Sequence, residues 1–211
     1  MSETNGYYKD DLDIEVLVQG CGLDEFFRYK DIQSRKFFLD CDVDNITVAD
    51  IVHHILQINC EDKGTDPDKR APIIIYISSN GGEVDAGFQV IDAIESSKTP
   101  VYTVNLSNAY SMGFLIALSG HKRYTMKNAK FLMHDGSNFV YGTGTKVQDQ
   151  MEFQKRVDDR IRDYVISHSR LTPEEYDAKL RVEWFMFADE AKEKGFVDEI
   201  VGVDVGIDDI V

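Results

Sequence analysis

Ser111 is the residue of this sequence best placed to act as a nucleophile. It lies between residues 101–105, which predict a strand, and residues 114–118, which predict a helix. A serine at the first turn of a helix lies beside unpaired backbone N–H groups and the positive end of the helix dipole, which stabilise developing negative charge. Ala109 and Gly113 leave room for a substrate backbone. An ordinary N-cap serine explains the same position without chemistry, so the choice depends on partners elsewhere in the chain.

A serine nucleophile needs a base that takes its proton and an acid that orients the base. His134 stands at the end of a predicted strand, residues 131–133, and is followed by Asp135. The other four histidines lie in helix-like patterns or in a charged turn: His53, His54, His121 and His168. His134 is therefore the candidate base, although a lone histidine at a strand end is more often structural.

Two consecutive strand–turn–helix units would position these residues. The first has a β-branched run at residues 72–77, typical of a strand covered on both faces, then a glycine-bearing turn and a helix to residue 96. The second has the strand at residues 101–105, a turn at 107–110 and a helix at 111–119. Such units predict an α/β fold with a parallel sheet and right-handed crossovers. Both turns then lie at the carboxyl ends of parallel strands, where sites form.

The rest of the chain divides into regions of different character. Residues before about 35 are polar and irregular, which predicts an arm whose order depends on a partner. After His134 comes a glycine-bearing, extended segment at residues 137–145, and then a long amphipathic helix from about 146 to 169. We therefore predict a flexible arm at 1–34, one catalytic domain at 35–201 and an acidic tail at 202–211.

Composition excludes several classes of function. The formal net charge of −15 argues against nucleic acid and anionic membranes as partners, because both bind clustered Lys and Arg. No apolar run is long enough to span a bilayer, and the N-terminus lacks the features of a signal peptide, so we expect a soluble, cytoplasmic protein. Cys21, Cys41 and Cys60 contain no Cys-x-x-Cys spacing, so neither a disulfide framework nor a metal site is expected.

Four short segments occur in the order and with the spacing of a known family. Residues 77–82 resemble its Ser-Pro-Gly-Gly turn, and residues 109–113 its Ala-Ser-Met-Gly nucleophile segment. Residues 131–134 resemble its strand that ends in the base, and residues 188–198 its Ala-x-Glu-Ala-x-x-x-Gly-Leu-Val-Asp motif. From about residue 35 to 201 the chain thus resembles the proteolytic subunit of the Clp protease, ClpP, and the resemblance implies the ClpP/crotonase fold.

The resemblance implies a role for each matching residue. Ser111 is the nucleophile and His134 the general base, while the backbone N–H groups of Gly81 and Met112 form the oxyanion hole. Physical reasoning also favours that pair, because both turns lie at the ends of adjacent parallel strands. A tight turn that needs glycine explains Gly81 equally well, and the two interpretations are compatible.

The sequence departs from the family pattern at three places. Glu183 stands where the family has the Asp that orients the base, and its side chain is one methylene longer, although glutamate serves this role in some α/β-hydrolases. Asp135 or Asp189 is the alternative acid. Asn80 replaces the proline of the glycine turn. The acid–base pair that adjoins the family's Asp is also missing, since Val182 and Trp184 flank Glu183.

The resemblance implies a serine endopeptidase that degrades unfolded polypeptides. It implies a homo-oligomer of two stacked heptameric rings, a tetradecamer, interlocked through a handle at residues 137–169 and fed by an ATP-dependent unfoldase. ATP belongs to that partner, because this chain contains no phosphate-binding Gly-x-x-x-x-Gly-Lys-Ser/Thr motif, and no cofactor is expected. A strand at residues 141–145 could bind substrate peptides by edge addition. The expected substrate-binding residues are Gly82, Tyr141, Gly142 and Thr143.

Two alternatives share the same fold. A crotonase-like acyl-CoA enzyme would use paired backbone N–H groups to polarise a thioester, but it needs no Ser/His pair and usually has a longer chain. A ClpP-like subunit whose triad is impaired by Glu183 would act as an inactive member of a mixed ring. Labelling of Ser111 by an active-site probe distinguishes both alternatives from the peptidase.

Overall fold

A parallel sheet forms the centre of the fold in the computed structural model, which describes residues 22–210. Its strand order is β1-β2-β3-β4-β7, and every pair in that path is parallel. β5 pairs with the second half of β3 and runs parallel to it, whereas β6 pairs with β5 and runs antiparallel to it. The strands are β1 (Lys36–Leu39), β2 (Ile73–Ser79), β3 (Val101–Tyr110), β4 (Lys122–Met126), β5 (Lys130–Met133), β6 (Trp184–Phe187) and β7 (Glu199–Val201).

Seven α-helices of the described chain connect or flank these strands. They are α1 (Leu23–Gln33), α2 (Thr47–Glu61), α3 (Val84–Ser96), α4 (Met112–Leu118), α5 (Gly144–Ser167), α6 (Pro173–Lys179) and α7 (Ala188–Glu193). The predicted α/β fold with consecutive strand–turn–helix units is therefore confirmed. Within residues 22–210, no helix has both the length and the apolar character that a membrane span requires.

Burial explains why β2 lies inside the sheet. Its residues Ile73, Ile75 and Ile77 are fully buried and belong to the main core, between the sheet and the helices. Ile74 and Tyr76 point to the opposite face and pack in a second, smaller cluster. Because successive side chains of a strand alternate between faces, a run that is apolar at every position fits only a strand covered on both sides.

The N-terminal side of the catalytic domain differs from the prediction. Leu23–Gln33 forms α1, so the prediction of an irregular chain before residue 35 is wrong for these residues. Phe26 is buried and Ile32 packs against the core, which holds the helix on the sheet. The aromatic residues between these two anchors, Phe27 and Tyr29, are exposed, so the sequence shows no clear apolar face of a helix here. The remainder of the predicted arm, residues 1–21, lies outside the described residues.

β3 is twice as long as the sequence indicated. The predicted turn at residues 107–110 is wrong, because the strand continues to Tyr110. Its first half pairs with β4, and its second half pairs with β5 through Asn108, Ala109 and Tyr110. The change of neighbour follows a shift in register against β2 between Ile77 and Ser79. This second half carries the nucleophile segment out to the end of the sheet.

The segment after His134 also differs from the prediction. Residues 134–143 contain no helix or strand, and α5 begins at Gly144, so the predicted strand at residues 141–145 is wrong. An extended segment is recorded as a strand only when a neighbouring backbone accepts its hydrogen bonds, and nothing in residues 22–210 pairs with it. The long helix itself is confirmed. Of its predicted apolar face only Val165 is buried, whereas Met151 is 62% exposed.

The C-terminal segment is attached to the sheet. After β7 the chain turns, forms a short 3-10 helix at Ile207–Asp209 and buries Ile210 in the second cluster, beside Tyr124 and Val201. Ile210 is thus an apolar anchor at the end of an acidic segment. The boundary at residue 202 remains a prediction.

Candidate active site

Ser111 occupies the turn between β3 and α4 in a backbone conformation that is rare for any residue except glycine. Its φ is 52° and its ψ is −119°. An ordinary N-cap serine has extended backbone angles and accepts a hydrogen bond from a helix N–H, whereas the Ser111 side chain makes no capping hydrogen bond. The Ser111 N–H donates to Leu132 O at 2.9 Å, which ties the turn to β5. Such strain costs about 1–3 kcal/mol and clusters at functional sites, which favours the nucleophile over the cap.

Strand pairing brings His134 to the same end of the sheet as Ser111. In the β3–β5 pair Tyr110 lies opposite Leu132, so the residues that follow each strand emerge side by side. The two side chains, both among the described residues, make no hydrogen bond with each other here. Catalytic hydrogen bonds are often long or misaligned before substrate binds, so the arrangement is compatible with general-base chemistry.

Glu183 is the carboxylate that faces His134. In the antiparallel β5–β6 pair Met133 lies opposite Trp184. His134 follows Met133 and Glu183 precedes Trp184, so these two residues also face each other. His134 Nδ1 and Glu183 Oε1 are 3.7 Å apart, and the Glu183 side chain is 65% exposed. Within residues 22–210 no other carboxylate oxygen lies within 4.0 Å of a ring nitrogen of His134, so the geometry favours Glu183 over Asp135 and Asp189.

The turn after β2 packs directly against the nucleophile turn. Gly81 has φ of +94°, and a Cβ there would lie 2.6 Å from Tyr110 O and 2.9 Å from the Met112 N, so only glycine fits. This contact places the N–H groups of Gly81 and Met112 in one region. Met112 is the first residue of α4, and a first-turn N–H has no acceptor within its own helix. Two donors that converge beside a nucleophile can stabilise an oxyanion.

Ser79 contributes to this turn in a way that the sequence analysis missed. The Gly81 N–H donates to Ser79 Oγ at 3.2 Å, and Ser79 Oγ itself donates to Cys41 O at 2.5 Å. The first bond is at the long end of the normal range. A substrate oxyanion must therefore either share the Gly81 N–H with Ser79 Oγ or replace Ser79 Oγ as its acceptor. A serine two residues before the first glycine of the turn was the available signal.

The expected substrate-binding residues do not all lie together. Gly82 forms a parallel bridge with Val43, whose carbonyl oxygen would clash with any Cβ at Gly82. Gly82 also lines an open groove of about 1010 Å³. The lining of that groove also includes Phe139 and Val140 but not Tyr141, Gly142 or Thr143, which are exposed just before α5. The structure thus brings Gly82 together with residues slightly earlier in the glycine-bearing segment than the sequence analysis chose.

Comparison with known proteins gives an independent result. The model of the Clp protease family matches residues 26–204 of this chain. The ATP-dependent Clp protease proteolytic subunit 1 of Frankia casuarinae is 32% identical over 176 residues, which cover 81% of this chain and 78% of that protein. The residues that the family model matches include all four segments that carry the candidate site.

Proposed function

This chain belongs to the Clp protease family, and from that membership we propose that Ser111, His134 and Glu183 form the catalytic triad of its peptidase site. The chain is a proteolytic subunit of a Clp protease and a serine-type peptidase. The observation that carries the assignment is the strained Ser111 turn, which makes no capping bond and packs against Gly81. The His134–Glu183 pair on neighbouring strands supports it.

The residues divide the work of peptide hydrolysis among them. Ser111 Oγ attacks the scissile carbonyl carbon while His134 takes its proton, and the N–H groups of Gly81 and Met112 stabilise the oxyanion. His134 then gives the proton to the leaving amine, and the acyl-enzyme forms. Water, deprotonated by His134, hydrolyses the acyl-enzyme and restores Ser111. Throughout the cycle the Glu183 carboxylate holds the imidazole in one tautomer and stabilises the imidazolium.

Family membership also places the chain in a protease complex with an ATPase partner. The finer arrangement, two stacked heptameric rings of identical subunits with an axial unfoldase, is part of our proposal. Exposure of Phe139, Tyr141 and Met151 supports it, because these apolar side chains project from residues 134–143 and α5 with nothing in the described chain to cover them. We further propose that ATP is used by the partner alone, and that the complex acts in the cytoplasm.

Membership in the Clp protease family does not favour the acyl-CoA enzyme. An impaired subunit would differ from an active peptidase only in whether its triad can catalyse hydrolysis. One experiment therefore distinguishes these two hypotheses. Purified protein is incubated with a fluorophosphonate probe, and the labelled residue is located by mass spectrometry. We expect label on Ser111, no label in Ser111→Ala, and cleavage of a short fluorogenic peptide by the wild type alone.

The opposite result would identify an inactive subunit. Folded, assembled wild-type protein that takes no label and cleaves no peptide, with or without a candidate unfoldase, contradicts the proposed triad. Circular dichroism and particle mass, measured on the same samples, separate loss of chemistry from loss of fold.

A further inference from the structure

The turn after β2, residues 80–82, which we call the oxyanion turn, has Asn80 where the family pattern has a proline. The N–H of Gly81 belongs to the peptide group that joins Asn80 to Gly81, so the backbone of Asn80 sets the direction of that donor. A proline at position 80 would fix one of the torsions of this residue, but asparagine leaves it free. Asn80 is exposed, and the β2 strand has already ended at Ser79. Val43 holds the far side of the turn, because its N–H donates to Gly81 O at 2.8 Å, but the Asn80 side of the turn needs a contact of its own.

Asn108 supplies that contact from the neighbouring strand. Its Nδ2 donates to Asn80 Oδ1 at 3.0 Å. Its own Oδ1 accepts from the hydroxyls of Ser78 at 3.2 Å and of Ser107 at 3.0 Å. Because two hydroxyls donate to the side-chain oxygen of Asn108, its NH₂ group faces Asn80. These partners therefore determine the orientation of the Asn108 side chain.

The position of Asn108 makes it a firm anchor. It lies in β3, three residues before Ser111, where β3 pairs with β5 and Asn108 lies opposite Lys130. The β2–β3 ladder is irregular between Ile77 and Ser79, immediately before the turn. The Asn108–Asn80 hydrogen bond crosses between the two strands at this break. It adds a side-chain link between the strands just after the Ser79–Ala109 pair, where the backbone pairing of β2 with β3 ends.

We propose that Asn108 is a positioning residue for the peptidase reaction, whose amide holds Asn80 and thereby limits the movement of the Gly81 N–H, which donates to Ser79 Oγ here and which the oxyanion must share or take over. The hydrogen bond does in this chain what a proline ring does in the family pattern. The inference rests on the proposed function, because it assigns a consequence to the oxyanion role of Gly81. A donor displaced by a fraction of an ångström stabilises the transition state less, while substrate binding along the groove is unaffected.

The turn can also accept the proline, which provides a chain-specific test. The preceding residue, Ser79, is in a strand, and extended backbone is what a following proline requires. Within residues 22–210 the Asn80 N–H donates no hydrogen bond outside the regular strand ladders, so proline removes no such contact. Asn80→Pro should therefore restore rigidity covalently and make Asn108 dispensable.

The experiment measures kcat and KM for a short fluorogenic peptide in a set of variants. Asn108→Ala and Asn80→Ala should each lower kcat about tenfold with KM nearly unchanged, because each removes one side of the same bond. The double variant Asn80→Ala/Asn108→Ala should be no slower than either single one, since partners in one bond are not additive. Asn80→Pro/Asn108→Ala should recover most of the lost kcat. Asn128→Ala, in the exposed turn between β4 and β5, serves as the control with wild-type kinetics.

Three outcomes overturn the inference. The first is a wild-type kcat in Asn108→Ala. The second is additive losses in the double alanine variant. The third is a proline variant that is itself active but fails to rescue Asn108→Ala. If Asn108→Ala does not fold, the kcat of Asn80→Ala, which leaves β3 intact, tests the inference by itself. A wild-type kcat in that variant then overturns it. Failure of the proposed function is a separate result, because then the wild type itself takes no fluorophosphonate label.

Discussion

The imidazole of His134 and the carboxylate of Glu183 lie 3.7 Å apart, measured from Nδ1 to Oε1. The distance is longer than a hydrogen bond but within the range of an ion pair. The β5–β6 register sets the two backbones opposite each other, and the extra methylene of glutamate leaves its carboxylate exposed. We expect a small rotation of this side chain to close the gap when the imidazole becomes charged during the reaction.

Glu183 should be required for catalysis and not for folding. We expect Glu183→Ala to lower kcat by about 100-fold or more, because the imidazole loses the group that selects its tautomer and stabilises its charge. Its 65% exposed side chain contributes little packing, so the melting temperature should change little. Steady-state kinetics with a fluorogenic peptide measure the first effect and thermal unfolding the second.

The matched control for Glu183 is Asp189, an exposed carboxylate in the first turn of α7. Asp189→Ala should retain nearly wild-type kcat. A near-normal rate in Glu183→Ala, together with a large loss in Asp189→Ala or Asp135→Ala, would transfer the orienting role to that residue.

Strain at Ser111 should appear as a difference between two inactive variants. Both Ser111→Ala and Ser111→Gly lack the nucleophile, but at φ of 52° alanine keeps the strain and glycine relieves it. After the entropic cost of glycine is deducted, we expect Ser111→Gly to exceed Ser111→Ala in free energy of unfolding by about 1 kcal/mol. Thermal unfolding at equal protein concentration tests this, and a higher melting temperature for Ser111→Ala would contradict the strained turn.

Stability should fall in acid partly because of Asp62. Its carboxylate accepts two hydrogen bonds from Arg35, at 2.7 and 2.8 Å, and these bonds hold its pKa below the usual value of 3.8. A pKa that is lower in the folded state gives stabilisation that is complete above the unfolded pKa and is lost as the pH falls through the folded value. Asp62→Asn should therefore be less stable than the wild type at neutral pH.

The difference in melting temperature between wild type and Asp62→Asn should begin to shrink below about pH 4, where the carboxyl group of the unfolded chain becomes protonated, and should vanish below the lower pKa of the folded state. Asp68→Asn is a suitable control, because Asp68 is exposed in a surface turn. A difference that stays constant down to the lowest pH would show that the Asp62–Arg35 pair contributes no pH dependence.

The exposed face of α5 should matter for assembly. Met151→Lys places a charge on a side chain that is 62% exposed in the single chain, so burial of this face in an assembly becomes costly while the chain itself still folds. We expect particles of smaller mass than the wild type in sedimentation or mass photometry. The neighbouring Gln150→Lys makes the same change from a neutral to a positively charged side chain about 100° away around the helix, and equal dissociation by both variants would contradict an apolar contact at Met151.

Much of the fold was predictable from short-range patterns. The β-branched run that forms β2, the glycines at positions 81 and 82 and the serine before α4 each reflect a local conformational requirement. A run that is apolar on both faces needs cover on both faces, and a turn with positive φ needs glycine. The order of the strand–turn–helix units then follows from the handedness of the crossovers.

Tertiary structure decided the details that turn these elements into a site. Glu183 rather than Asp135 or Asp189 faces His134 because of the β5–β6 register. That register pairs residues that are more than 45 positions apart in the sequence. The hydrogen bond from Asn108 to Asn80 exists only because β3 extends past its predicted end. Local sequence determines which conformations each segment prefers, but register and side-chain pairing between distant segments depend on how the whole core packs.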